Sequence, residues 1–176
     1  MTVGIRVVGV DDAEALAEVL GRNRAFLAPW DPVRDDAYFT PAGQRSLIGQ
    51  SLRRYEQGLD WPAVITVDGA PVGRVNLNNI VRGAFRSADL GYWVDAAHNG
   101  RGVATDAVAA IVATAFIELG LHRLQAGTLL HNKASQRVLE RNGFSSIGMA
   151  PRYLHIAGRW QDHLLFQRLA DDPDVP

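Results

Sequence analysis

The stretch Asp89-Leu-Gly-Tyr-Trp-Val-Asp-Ala-Ala-His-Asn-Gly-Arg-Gly-Val-Ala-Thr105 runs from an apolar strand through a glycine-bearing turn into a helix. Gly100 and Gly102 lack a Cβ, so the backbone can bend tightly there and come close to a ligand. The first amides of the helix that follows have no intrahelical partner and point outward. With the positive end of the helix dipole, they make the turn a site for phosphate or pyrophosphate. The helix itself carries Ala104, Val108, Ile111, Val112, Ala115 and Leu119, a spacing that buries one face against a sheet.

Several phosphate ligands fit such a cradle, and neighbouring residues separate them. A P-loop needs Lys followed by Ser or Thr after its second glycine, whereas Gly102 is followed by Val103-Ala104-Thr105. A dinucleotide fingerprint needs a third glycine near Thr105 and an acidic residue at the tip of the next strand, which here ends Leu130-His131-Asn132. An ordinary strand-turn-helix connection would also satisfy these six residues taken alone.

Asn99-x-x-Gly102-x-Ala104 resembles the acyl-CoA pyrophosphate loop of the GNAT N-acetyltransferase superfamily, departing at Asn99, where the pattern has Gln or Arg. Asn132-Lys-Ala-Ser135-Gln-Arg-Val-Leu139-Glu-Arg-Asn-Gly143-Phe144 resembles an element of the RimJ/RimL branch, the ribosomal-protein N-terminal alanine/serine acetyltransferases. Gly158-Arg-Trp160 with Asp162 and Leu169 is similar to that branch's closing strand, and Ile5-Arg-Val, Asn23-Arg24 and Leu27-Ala-Pro-Trp30 to its opening strand and helix. The likeness runs from about residue 3 to residue 169. It implies an α/β (α+β) GNAT acyltransferase fold: a central mixed, mostly antiparallel sheet, splayed at the acyl-CoA site and flanked by helices. It also implies acetyl-CoA as co-substrate, direct attack by a primary amine in a ternary complex, and no metal.

The remaining elements read as follows. Residues 3–10 form a strand, Asp11 or Asp12 caps a helix to about Arg24, and Thr40-Pro41 starts another to about Gln57. Residues 61–67 and 71–81 form a hairpin around Asp68-Gly69-Ala70, and 88–94 the central strand. His122–Leu130 is a strand, Asn132–Asn142 a helix stopped by Gly143, and 153–156 with 160–169 a closing hairpin. Residues 1–170 read as a single GNAT N-acetyltransferase domain and 171–176 as a frayed tail. The chain has no Cys, which removes disulfides, thiolate metal sites and a cysteine nucleophile. Its net charge of −1 offers no general attraction to nucleic acid or anionic lipid. Without a signal-peptide pattern or a long apolar run, a cytoplasmic monomer or homodimer is the expectation.

Acetyl transfer from a thioester needs a held thioester, a polarised carbonyl, an unprotonated amine and a proton for the thiolate. The resemblance implies a cofactor groove at Trp93, Val94, Asn99, Gly100, Arg101, Gly102, Val103, Ala104 and Thr105, with the pantetheine arm pairing to the strand around Trp93 and Val94. For the side chains of Tyr92 and Trp93, strand packing is the simpler role. Asn132 serves as a helix N-cap, a pantetheine contact or both. Ser135, in the first turn, is an exposed helix serine unless it protonates the thiolate, as the resemblance implies. Arg101, Lys133 and Arg137 are candidates for the 3′-phosphate, or simply solvated charges.

The base is less determined. Asp89 begins the central strand, and His131 ends the adjacent one with an intrinsic pKa suited to proton shuttling; each is also readable as a solvated turn residue. Where the RimJ/RimL pattern carries a glutamate before the Tyr-Leu of its closing hairpin, this chain has Arg152. Trp30 and Tyr153 are candidate acceptor contacts, though packing is the simpler role for Tyr153; Asp31, Asp35 and Asp36 lie in the loop expected to overhang the acceptor channel, where they attract a cationic acceptor or simply keep the loop solvated; and His155 and His163 are expected to stack in the hairpin. A peptide or protein N-terminus, a ribosomal protein among them, is the expected acceptor. A small-molecule amine acetyltransferase and a non-catalytic acyl-CoA-binding module remain open alternatives.

Overall fold

A computed structural model of the chain describes residues 1–171. In chain order the elements are β1 (Val3–Val7), α1 (Ala13–Arg22), α2 (Arg24–Leu27), α3 (Pro41–Glu56), β2 (Trp61–Val67), β3 (Ala70–Val81) and β4 (Ser87–Val94). They continue with α4 (Val103–Ala113), β5 (Arg123–Leu129), α5 (Lys133–Arg141), β6 (Ser145–Ile156) and β7 (Arg159–Leu169). The strands form one sheet in the order β1-β2-β3-β4-β5-β7-β6. Every neighbouring pair is antiparallel except β4 and β5, so the sheet is mixed, mostly antiparallel and flanked by helices, as the resemblance implied.

The parallel pair matters most. Ser87, Ala88 and Asp89 are bonded opposite Arg123, Leu124 and Gln125, and there the ladder stops. Beyond it β4 stays paired to β3 as far as Val94 opposite Gly73, and β5 to β7 as far as Leu129 opposite His163. The two central strands therefore part, each held on its outer side only, and open a wedge in the middle of the sheet.

Alternation along β4 explains what lines the wedge. Ala88, Leu90 and Val94 are buried in the main core with Val103, Ala107, Val108 and Ile111 of α4, and Tyr92 packs beside them. On the other face Trp93 packs against a second cluster of Val8, Leu16, Ile48 and Val64 under α1 and α3. Thr40 caps α3 by accepting the Gly43 N–H at 3.0 Å, with Pro41 in the first turn.

Four boundaries depart from expectation, each for a local reason. The first strand ends at Val7, because Asp12 turns back to accept the Gly9 N–H at 2.8 Å and both ends of the Arg6 guanidinium at 2.6–2.7 Å. The first helix starts at Ala13 and stops at Arg22, where the buried Asn23 redirects its side chain to Val19, Asp95 and Ala96. The apolar stripe after the cradle ends in a wider π turn over Thr114–Glu118, in which the Leu119 N–H reaches back to Thr114 O at 3.0 Å. β6 begins at Ser145 rather than Tyr153; as an edge strand exposed along most of its length, it shows no alternation to read. It also bulges between Ala150 and Leu154, around Arg152 with φ +47°. Beyond Asp171 the expected tail lies outside the described residues.

Asp95, just past the end of β4, ties this frame to the turn that follows. It is 2% exposed. Its carboxylate accepts from Arg22 Nη2 at 2.6 Å, Asn23 Nδ2 at 2.8 Å and the Ala97 N–H at 3.2 Å, while Asn23 Oδ1 accepts the Ala96 N–H at 2.9 Å. Burial pushes the Asp95 carboxyl up, but the hydrogen bonds from Arg22, Asn23 and Ala97 outweigh it and hold the group below the usual carboxylate range. A carboxyl with a depressed folded pKa stabilises the fold above its unfolded pKa, near 3.9, and loses that contribution as pH falls through the folded value. Asp95→Ala should therefore lower stability by about 2–3 kcal/mol at pH 7. Denaturant unfolding of wild type and variant from pH 7 to pH 3 should show the difference shrinking once the pH drops below about 4.

Candidate active site

The cradle is built from the end of β4 outward. After Asp95, a 3-10 turn over Ala96–His98 leads to Asn99, then to Gly100 at φ +72° and Gly102 at φ +86°, both in the left-handed region. Gly102 is the N-cap of α4, and the first intrahelical bond is Asp106 N–H to Gly102 O at 3.0 Å. The amides of Val103, Ala104 and Thr105 precede that bond and have no acceptor within the helix. They face outward at the positive end of the helix dipole.

A groove of about 650 Å³ runs past this turn. One wall is Tyr92, Trp93 and Val94 of β4, continuing through His98, Asn99, Gly100 and Gly102 to Thr105. The facing wall is α5, whose Ala134, Arg137, Val138 and Arg141 recur at helical spacing, with Asn132 and Ser135 at its start. Phe26, Leu27 and Trp30 close the far side. The walls are apolar along the strand and basic on α5, and the groove-lining residues include no carboxylate.

Two polar contacts fix the start of α5. Asn132 is the N-cap, its Oδ1 accepting the Ser135 N–H at 3.1 Å. The Ser135 hydroxyl does not stand alone: Tyr92 Oη lies 2.8 Å from Ser135 Oγ and donates to Ser135 O at 3.2 Å, bridging the wedge from strand to helix. Burial, opposed by the hydrogen bond to Ser135, leaves the Tyr92 phenol pushed up to about 12. Tyr92 thus does more than fill the strand face. A core-facing tyrosine needs a partner for its hydroxyl, and Ser135 is on the helix opposite.

Of the residues expected at the site, Trp30, Trp93, Val94, Asn99, Gly100, Gly102, Val103, Ala104, Thr105, Asn132, Ser135 and Arg137 line this single groove. Arg101, Lys133, Asp89, His131 and Tyr153 do not, and Lys133 Nζ donates to Gln136 Oε1 at 3.0 Å. Arg101 is exposed between the two left-handed glycines and is not among the groove-lining residues. Asp89 is on the opposite face of β4 from Tyr92, where it accepts from Asn79 Nδ2 at 3.0 Å. His131 packs against Trp30, ring centroids 5.3 Å apart. Tyr153 stacks on His163 at 5.6 Å, over Gly127 on the splayed part of β5, and His155 meets Trp160 at 5.5 Å.

The far side is roofed by the segment after α2. The Ala157 N–H donates to Asp31 O at 3.0 Å, tying the roof to the β6–β7 turn, and Arg34 pairs with Asp31 at 2.9 Å. Groove residues not foreseen are Phe26, Leu27, His98, Ala134, Val138 and Arg141. The last three were readable: with Arg137 they complete an i, i+3, i+4, i+7 stripe.

A family profile described as "Acetyltransferase (GNAT) domain" matches residues 3–145. "Probable N-acetyltransferase YjcK" of Bacillus subtilis is 38% identical over 98% of this chain and 97% of its own length. "[Ribosomal protein uS5]-alanine N-acetyltransferase" of Escherichia coli is 35% identical over 92% of this chain and 84% of its own. Among solved structures, Mycobacterium smegmatis RimJ in complex with CoA-disulfide superposes with a TM-score of 0.95 at 34% identity, covering 98% of this chain and 84% of that one. A split central sheet, a glycine cradle at its mouth and likeness of this extent lead to one assignment: the chain belongs to the GNAT acetyltransferase family.

Proposed function

We propose that this acetyl-CoA-dependent N-acetyltransferase acts on the N-terminal α-amine of a protein or peptide, by direct attack in a ternary complex. The observation that carries the acceptor class is the composition of the groove: basic and apolar walls without a carboxylate. An α-amine has a pKa of about 8, so much of it is unprotonated near neutral pH, whereas a lysine amine near 10.4 needs a strong base. The Escherichia coli relative, named for a ribosomal protein's alanine, supports the same class, with ribosomal proteins among the acceptors.

The residues fit acetyl-CoA. The free amides of 103–105 suit the pyrophosphate, and the RimJ structure with CoA-disulfide supports a CoA moiety in this groove. The β4 edge at Trp93 and Val94, left without a strand partner where β5 departs, suits the amides of the pantetheine arm. Arg137 and Arg141 supply cations on the opposite wall.

In the reaction the amine nitrogen attacks the thioester carbonyl carbon, and the tetrahedral intermediate collapses by breaking the C–S bond, its electron pair going to sulfur. Ser135 hands its hydroxyl proton to the thiolate and recovers one from solvent. The surplus proton on the former amine leaves through water. Asp89 and His131, which lie off the groove wall, serve at most as the outer end of that water path.

Three outcomes test this reading. Gly102→Glu puts a carboxylate where the pyrophosphate binds, while only Asp106 Oδ2, at 4.0 Å, would meet the new Cβ. Calorimetry should show acetyl-CoA affinity collapsing in a folded protein. Gly102→Ala carries the same positive-φ strain without the charge and should retain most of the binding. Ser135→Ala should lower kcat by ~10²-fold with KM for acetyl-CoA nearly unchanged; an unaltered kcat removes Ser135 from the reaction. The decisive experiment is mass spectrometry after incubation with acetyl-CoA and peptides that begin with Ala, Ser, Thr or Met and also contain an internal Lys. Acetylation at the N-terminus is expected; acetyl only on Lys, or on a polyamine or aminoglycoside with no peptide modified, would replace the proposed acceptor.

A further inference from the structure

Ser135 and Tyr92 share more than one hydrogen bond. The Tyr92 oxygen is within reach of both the Ser135 hydroxyl, at 2.8 Å, and the Ser135 main-chain carbonyl, at 3.2 Å. Each hydroxyl carries one proton, so the pair has two arrangements that differ only by rotation of two hydrogens. In the first, the serine donates to the phenol oxygen and the phenol donates to the carbonyl; the serine proton is then used up within the protein. In the second, the phenol donates to Ser135 Oγ, and the serine proton turns toward the groove that both residues line.

A negative charge developing in the groove selects the second arrangement, because a hydrogen bond to a charged acceptor is roughly twice as strong as a neutral one. Nothing heavier than hydrogen has to move. The Ser135 main chain is held at its N–H by Asn132 in both arrangements, and at its carbonyl by Tyr92 in the first.

We propose that Tyr92 is a positioning residue: its O–H steers the Ser135 hydroxyl, parking it against the phenol before reaction and releasing it toward the thiolate when the C–S bond breaks. The inference rests on the role of Ser135 argued above. No proton leaves Tyr92 in this scheme; the proton delivered to sulfur is the serine's own. Burial keeps the phenol protonated, with a pKa pushed up to about 12, so it remains a donor at any pH at which an α-amine reacts.

Tyr92→Phe deletes only the O–H and leaves the ring in the core, so calorimetry should report unchanged CoA binding and thermal unfolding a nearly unchanged midpoint. In steady-state kinetics with acetyl-CoA and the peptide acceptor, Tyr92→Phe should lower kcat by ~10-fold at constant KM for acetyl-CoA. The double variant Tyr92→Phe/Ser135→Ala should be no slower than Ser135→Ala, since a steering group has nothing to steer once the hydroxyl is gone. A role confined to packing would instead multiply the two effects. Wild-type kcat in Tyr92→Phe, with kcat reduced in Ser135→Ala, overturns the steering role alone, and so does a double variant slowed by the product of the single effects. Wild-type kcat in Ser135→Ala overturns the serine's role and the steering role together.

Discussion

The molecule depends on a hydrogen-bond ladder that stops early. β4 and β5 are bonded only from Ser87 to Asp89, opposite Arg123 to Gln125. Strand edges left without partners are costly unless water or a ligand satisfies their N–H and C=O groups. Here they face a groove, and contacts between distant parts of the chain keep that groove in shape. β3 and β7 hold the outer edges of the parted strands, Asp95 anchors the end of β4 to α1, and the Tyr92–Ser135 contact sets β4 against α5.

Charge in this design is local. The net charge of −1 gives the surface no reach toward an anion, and attraction for one comes from outward amides at the start of α4, concentrated within a single helical turn. Gly100 and Gly102 make this possible by adopting positive φ, which lets the chain reverse and enter the helix with its amides uncovered. The same economy appears on the far side of the groove, where Trp30, Phe26 and Leu27 line it without charge.

Much of this was legible in the sequence because it was local. The cradle and the α4 stripe are contiguous, and the Asn132–Phe144 element carries its own cap and stop, so those readings needed no tertiary information. What could not be read depends on partners distant along the chain. Tyr92 and Ser135 are 43 residues apart, and Asn23 and Asp95 are 72 apart; neither pairing leaves a periodic trace. Asp89 and Tyr153 were drawn toward the site by their chain positions, but side-chain direction on a pleated strand sent Asp89 to the other face and Tyr153 onto His163. β6 was underestimated because an edge strand exposed on both sides lacks the alternation by which strands are recognised. The π turn after Ala113 preserved the apolar spacing of a helix while changing its pitch.

The order of the last three strands carries a consequence for how the chain assembles. β7 is the final strand in sequence, yet it lies between β5 and β6 rather than at the sheet's border. Until β7, residues 159–169, begins to be synthesised, β5 has no neighbour on that side and β6 no neighbour at all. During translation the N-terminal strands can zip together early, while one half of the active-site wedge must wait, exposed, for the closing strand to slot inward. One side of the wedge is therefore fixed only once the strand that closes this sheet is in place.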